Sequence, residues 1–537
     1  MRNDFIIFTI VSLLVVSGIS YFLWSPFYWV MLLLGPILLI GWYDMLQSKH
    51  AIMRNFPILG RGRYVMENLR PKIYQYFIES ETDGAPINRM HRSIVYARAK
   101  HELDTTPFGT QLNVYDDGYE WMNHSIAAID SSELELNPQT PVGGSDCKQV
   151  YSASLLNVSA MSFGSLSAAA VLALNGGAKQ QGFAHNTGEG GVSPYHLEPG
   201  GDLIYQIGTG YFGCRSKDGN FDPTLFEQLA AKPTIKMIEL KLSQGAKPGH
   251  GGILPGKKNT KEIATIRGVE QGTDVLSPPF HKAFNTPTGL LNLIKQLQDL
   301  SGGKPVGFKL CIGSRSEFLA ICKAMIKTGI KPDYIAVDGG EGGTGAAPLE
   351  FSNSVGMPFE EGLAFVYDAL VGFDLKKDIK IIAAGKIISG FHIFRALALG
   401  ADICYSARAM MLALGCIQAL ECNANTCPTG VATQDPELTK GLVPSDKAKR
   451  VANFHKQTLH SFVELMGAAG IRDYQTINRT HIYRRVGNNK TKRFDQIFPY
   501  IQAGCLLDIN TCPKNYRFYL AAADPESFKA ITAEISN

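Results

Sequence analysis

Three of the ten cysteines fall within twelve positions, as Cys416, Cys422 and Cys427 in the spacing C-x5-C-x4-C. Thiolates select zinc, copper or iron–sulfur centres. Three ligands make a poor structural zinc site, which normally takes four, and His455 lies too far along the chain to be named as a fourth. A three-iron cluster takes three thiolates, and Pro428 directly after the last cysteine has its counterpart in ferredoxin-type runs. The competing reading is three buried cysteines acting as small hydrophobes. Asn423, Asn425 and Thr426 between them give the segment the character of a loop.

A second group of residues could serve a redox cofactor and an acidic substrate. Lys241 closes an apolar run, where an ammonium can stabilise an anionic reduced ring by charge. Gln206 could hydrogen-bond the ring edge, or be a satisfied core amide. Glu189 and Lys247 sit inside glycine-rich loops; a carboxylate there can move protons, and a lysine can hold a substrate carboxylate. Lys309 joins them as a candidate for catalysis. Met161, Ser162 and Gly164 lie in SFGS-type sequence that leaves room for a flat ring. Gly385 and Lys386, with Ser406 and Ala407, mark two late turns suited to a phosphate, and Glu341, Gly342 and Gly343 form a further glycine loop.

These residues share a position within a repeating pattern. From Tyr151 onward, short β-prone apolar runs start at Leu155, Phe183, Leu203, Met237, Val306, Tyr334, Ile379 and Asp402. Amphipathic helical stretches such as PTGLLNLIKQLQDL and EFLAICKAMIKTG lie between most of them, which argues for parallel βα units. Eight such units predict an α/β fold of the (β/α)8 TIM-barrel type, and no glycine fingerprint opens the first unit as a Rossmann fold would require. Run after run, the polar and glycine-rich residues fall at the C-terminal end, the face where a barrel gathers its active site. The two late turns taken alone could be ordinary βα turns; with the other strands added, a flavin mononucleotide (FMN) lying across that mouth fits better.

The first fifty residues differ in kind. Phe5 to Trp24 is apolar and uncharged, long enough to cross a bilayer of roughly 30 Å. Ser25 and Pro26 break it, and Phe27 to Trp42 is a second apolar run with aromatics at both ends. The first run is too long for a signal peptide and no small-residue cleavage site follows. A transmembrane hairpin over 1–50 is predicted, with Arg2 before it and Lys49, His50 and Arg54 after it. Positive charge on both flanks puts both ends, and so the catalytic domain, on the cytoplasmic side of an inner membrane. Residues 51–150 are read as a cap, 151–440 as the barrel and 441–537 as a helical extension. In the extension, Cys505 and Cys512 are read as structural. Charged residues make up 19% of the 537 positions, below the usual ~25%. A net charge of +4 and no basic stripe give no case for nucleic acid.

Six motifs together resemble the FMN-binding synthase domain of glutamate synthase: SAMSFGSLS (159–167), NTGEGG (186–191), LKLSQGAKPGHGGILPGKK (240–258), LSPPFH (276–281), GGEGGTGAAP (339–348) and GCIQALECNANTCPTGVATQ (415–434). The likeness runs from about residue 150 to 440, in family order. Residues 56–89 further look like stand-alone, membrane-anchored proteins of that family. The resemblance implies a barrel carrying FMN, and a [3Fe-4S] cluster on Cys416, Cys422 and Cys427. It implies reduction of 2-iminoglutarate, made from 2-oxoglutarate and ammonia, by hydride from the flavin. It places the flavin lysine at Lys241, the substrate lysine at Lys247 and the motif carboxylate at Glu189.

The chain also departs from that family. His250 stands where an acid is usual and Ile253 where a glutamine helps bind 2-oxoglutarate; Gly340 replaces a histidine and Glu341 an aspartate. Neither a glutaminase nor an FAD/NADPH module is recognised, so ammonia or an amine is expected from solution and electrons from ferredoxin or another donor. Three readings follow: an imine reductase making an amino acid, a related flavoenzyme for a different keto acid or amine, and a membrane-bound electron-transfer or binding subunit.

Overall fold

A computed structural model describes residues 1–529. The chain divides into two compact units, Met1–Arg89 and Met90–Asn537. The boundary therefore falls inside the 51–150 segment: its first part belongs with the hairpin, its second with the barrel.

In the first unit, α1 (Arg2–Phe22) and α2 (Met31–Leu46) form an antiparallel pair joined by a 3-10 turn over Ser25–Val30. Arg2–Phe22 and, counting the 3-10 turn with α2, Ser25–Leu46 are each long and apolar enough to cross a membrane. Phe5, Leu38 and Met45 pack between them, with the Phe5 ring filling the space a side chain at Gly41 would need. The outer faces are uncovered apolar surface, as at Leu14 and Leu33. A short helix over Ala51–Asn55 and then α3 (Leu59–Ile73) follow.

The second unit is built on a closed barrel of eight parallel strands in sequential order. They are β1 (Leu156–Val158), β2 (His185–Asn186), β3 (Leu203–Ile207), β4 (Ile235–Lys241), β5 (Val306–Cys311), β6 (Tyr334–Asp338), β7 (Lys380–Ala384) and β8 (Ile403–Ser406). Strand β8 pairs with β1, with Tyr405 opposite Asn157, which closes the ring. All eight runs anticipated from the sequence are barrel strands. Side chains alternate across each strand, so Ile204, Met237, Ala336, Ile382 and Ile403 fill the lower lumen. Nearer the C-terminal ends the inward positions Asn186, Gln206, Glu239, Lys241, Lys309 and Asp338 are polar and buried.

The flanking segments hold the barrel from outside. Helix α4 (Ala168–Gln181) packs against the long α7 (Pro444–Ala468); Gly177 lets them approach, since a Cβ there would lie 2.7 Å from Val451. On α7, His455 stacks on Phe183 at 4.0 Å and meets Ser154 Oγ and the Leu156 carbonyl at 3.0 Å. It is a packing residue of the barrel wall. The C-terminal segment is helical over α7 and also adds a β-hairpin, Ile482–Gly487 with Lys490–Arg493, that pairs with Glu120–Met122. The Asn488–Asn489 turn, with Asn489 at φ 59°, was the signal for it.

Arg479 is the buried rivet of this region. Its guanidinium donates to Asp368 Oδ1 at 2.9 Å and Oδ2 at 3.2 Å, and to the Phe498 carbonyl at 2.7 Å. It also stacks 4.4 Å over the Tyr500 ring. Asp368 lies on α5 (Phe359–Gly372), and burial pushes its carboxyl up to about 6 against the pull of Arg479. Removing one partner of a buried pair leaves the other uncompensated, so Arg479→Met is expected to cost on the order of 3–5 kcal/mol. Thermal or denaturant unfolding checks this, and Asp368→Leu in the same chain should restore part of the loss.

Candidate active site at the barrel mouth

The upper lumen is organised around a carboxylate. Glu239, fully buried, accepts from Asn186 Nδ2 at 2.8 Å, Gln206 Nε2 at 2.7 Å and the Tyr405 hydroxyl at 3.1 Å. Burial pushes its carboxyl up, opposed by Lys309 and these donors. Lys309 in turn pairs with Asp338 Oδ2 at 3.2 Å. Burial pulls its ammonium down, but Asp338 and Glu239 outweigh that and leave its pKa above the ordinary lysine value. Gln206 is thus a satisfied amide on its donor side. The sequence reading missed Glu239, Asn186, Tyr405 and Asp338, although inward alternation from Met237 through Glu239 to Lys241 marks one of them.

Above this layer, Lys241 Nζ meets Glu189 Oε1 at 2.8 Å. Burial raises the Glu189 carboxyl, but Lys241, Lys247 and Arg267 together bring it below its ordinary value. Lys247 donates to the Ala346 carbonyl at 3.1 Å. Arg267, also missed from sequence, is buried, donates from Nη2 to the Phe163 carbonyl at 3.1 Å and lies 5.2 Å over the Phe212 ring. Its Nε is buried without a partner. Three cations therefore face one carboxylate. His281 fixes the floor: its Nε2 meets the Lys241 carbonyl at 2.8 Å and its Nδ1 the Tyr211 hydroxyl at 3.2 Å. Burial pulls His281 down to about 4, so the ring is neutral and can donate to that carbonyl.

Glycines let the loops meet backbone to backbone. A Cβ at Gly188 would lie 2.9 Å from the Ser162 nitrogen, and one at Gly190 2.8 Å from Ser162 Cβ. The Met161–Gly164 turn, with Gly164 at φ 103°, rests on NTGEGG in this way, and His196 Nε2 braces the Met161 carbonyl at 3.2 Å. A side chain at Gly245 would collide with the Gly339 carbonyl and with Gly342; Asp338 Oδ2 accepts from the Gly245 amide at 3.0 Å. Gly343 packs on the Arg408 side chain, and Gly385 on the Phe359 ring.

The Glu341 carboxylate accepts from the Phe359 amide at 3.0 and 3.2 Å and so caps α5. Its carbonyl accepts from Arg408 Nη2 at 2.8 Å. The Ser406 hydroxyl donates to the Ile387 carbonyl at 2.7 Å, tying the last two turns together. Ala407 precedes α6 (Arg408–Leu414). Lys386 holds a left-handed backbone at φ 48°, and its ammonium is lowered by burial and then by Arg408. Two half-buried cations thus flank these turns.

The cysteine loop lies beside the first turn. Gln434 Nε2 donates to the carbonyls of Gly164 at 3.1 Å and Leu166 at 2.8 Å. Lys258 Nζ donates to those of Ser165 at 2.6 Å, Ala432 at 3.1 Å and Cys422 at 3.3 Å. Gln418, Leu420 and Asn425 all take positive φ, a strain such side chains bear only where surroundings impose it. Burial, then the neighbouring Cys422 and Cys427, push the Cys416 thiol up to about 12. Among the described residues, no three His, Cys, Asp or Glu side chains converge closely enough to hold a metal ion.

The conserved region of glutamate synthase matches residues 105–472, the whole barrel and its flanks. The chain belongs to the glutamate synthase family. The glutamate synthase large subunit-like protein YerD of Bacillus subtilis is 36% identical over 505 residues, covering 86% of this chain and 95% of that one. The archaeal glutamate synthase (NADPH) of Methanocaldococcus jannaschii is 39% identical over 334 residues, 62% of each chain. The glutamate synthase (NADPH) large chain of Bacillus subtilis is 33% identical over 330 residues, only 20% of its own length. This chain thus corresponds to about three-fifths of the archaeal relative and a fifth of the large chain.

Burial pulls the Lys247 ammonium down to about 8; Glu189 raises it and Lys241 lowers it further. Acylation of Lys247 by acetic anhydride, followed by peptide mass spectrometry, is expected to rise through a midpoint near pH 8. Lys241→Met removes a like charge and should move that midpoint up; Glu189→Gln should move it down. A midpoint unmoved by both would contradict this arrangement.

Proposed function

We propose that the chain is a flavin-dependent oxidoreductase that aminates a dicarboxylic 2-keto acid reductively. 2-Oxoglutarate and ammonia condense with loss of water to 2-iminoglutarate, and two electrons and two protons convert this to glutamate. The observation that carries the reading is the cluster of Lys241, Lys247 and Arg267 around Glu189, inside a mouth floored by neutral His281. Cations hold the carboxylates of such a substrate, and the unpartnered Arg267 Nε offers a donor. Glu189, held below its ordinary value by its three cationic neighbours, would accept and return the proton that moves as the imine forms and is reduced.

The donor set fits FMN. Met161–Gly164 and the glycines packed on it would face the ring, Lys241 its anionic edge, and Lys386 with Arg408 the phosphate. Bound FMN supplies hydride-transfer chemistry. Cys416, Cys422 and Cys427 supply the three thiolates that a [3Fe-4S] cluster takes, and their loop is stitched to the flavin turn. Electrons would enter there from ferredoxin or another donor. The two apolar arms would fix the chain in the cytoplasmic membrane, with the barrel on the cytoplasmic side.

A second substrate is favoured by one observation. A Cβ at Gly252 would lie 2.6 Å from Glu189 Oε1, so the next residue, Ile253, borders the site where the family carries a polar glutamine. A shorter or more apolar keto acid, or another amine, would suit that edge.

Detergent-purified protein isolated under argon is expected to be yellow, with FMN and about three irons per chain. Cys422→Ser should lose iron while keeping most of the flavin; unchanged iron would remove the cluster. Adding 2-oxoglutarate should perturb the flavin spectrum, and Lys247→Met should weaken that response roughly tenfold or more, as expected when a charged partner is lost. A response to apolar keto acids alone would select the second substrate.

A further inference from the structure

The apolar side chains of helix α3 (Leu59–Ile73) are exposed. Of the helix only Gly60 is buried. Leu59 is 68% exposed, Met66 64%, and Phe77 beyond the helix 84%. With 3.6 residues per turn, Leu59, Val65, Met66, Leu69 and Ile73 fall within an arc of about 120°. Arg61 and Lys72 lie just past one edge of that arc, and Arg63 and Arg70 just past the other. Glu67 alone opposes these four cations. A narrow apolar stripe with cations on both shoulders is the pattern of a helix lying in the interface of an anionic bilayer. A helix meant for a protein core would have its stripe covered.

The position of the helix is fixed by a buried ion pair. Asp44, two residues before the end of α2, is fully buried; its carboxylate takes Arg61 Nη2 at 2.7 Å, Arg61 Nε at 2.9 Å and the Ile58 amide at 3.0 Å. The first turn of α3 is therefore tied to the end of the second apolar arm. The His50 ring contacts Tyr64 at 4.6 Å, and a Cβ at Gly60 would press on the Ile52 carbonyl at 2.8 Å. If the arms span a bilayer, this clasp holds α3 at the level where the chain leaves it.

We propose that helix α3, Leu59–Ile73, lies along the membrane surface and binds anionic lipid. The apolar stripe enters the acyl boundary, and Arg63, Arg70 and Lys72 engage headgroup phosphates. Arg61 is shared with Asp44. This rests on the reading of the arms as membrane-spanning.

The test uses the full chain in nanodiscs of phosphatidylcholine, and in discs containing phosphatidylglycerol as well. Cleavage by trypsin after Arg63 and Lys72 is expected to be roughly tenfold slower in the anionic discs. High salt should reduce the difference. Read at the Lys72 site, which both variants keep, Arg63→Glu with Arg70→Glu, both on exposed surface, should abolish the difference, and Glu67→Lys should enlarge it. Retention of the chain through alkaline carbonate, with equal cleavage in both lipids, overturns the proposal alone. Equal protection in both lipids assigns the face to a protein or a second copy, and also overturns it. Release of the chain by carbonate removes the membrane-spanning reading, and this proposal with it.

Discussion

A single buried carboxylate sets the terms for this barrel. Glu239 has no access to water, so its charge must be met from within. Asn186, Gln206 and Tyr405 donate to it, and Lys309 balances it. Together with Glu239 these residues come from β2, β3, β4, β5 and β8. Each strand can contribute only if its register is correct, because a slip of one residue would turn the donor outward. The network thus fixes which inward positions face upward into the site. It also divides the lumen into apolar packing below and ionic chemistry above.

From that layer the ordering passes outward. Lys309 holds Asp338, Asp338 holds the Gly245 amide, and Gly245 packs on the Gly339–Gly342 turn. On the other side, NTGEGG carries both Asn186, which belongs to the layer, and Glu189, which belongs to the site. The loops are therefore held by close backbone packing that only glycine permits. The cysteine loop joins the same assembly through Gln434 and Lys258. A cofactor seated here would meet a surface whose shape is already set.

Much of this was readable in the chain. The eight strands, their phase and the gathering of Lys241, Lys247 and Glu189 follow from alternation and from where the polar residues fall. What escaped are pairings between residues far apart in sequence. Nothing near Tyr405 announces that its hydroxyl serves Glu239, and Arg267 carries no local sign that it faces Glu189. By sequence alone Gln206 and Glu341 are candidates for ligand contact. The amide nitrogen of Gln206 is satisfied inside the barrel, and the Glu341 carboxylate caps a helix. Both roles depend on neighbours supplied by the fold. The strand at Glu120–Met122 was also invisible, because its partner lies at Ile482–Gly487.

The polar layer has a consequence for how the protein is made. Tyr405 and Glu239 are 166 residues apart, so most of the barrel leaves the ribosome before the last donor exists. A nascent chain ending within β7 would hold an under-satisfied carboxylate in a half-closed lumen. Such a barrel has no stable stopping point short of its eighth strand. Closure must wait for the synthesis of β8 and, after it, of α7, whose His455 braces β1 from outside.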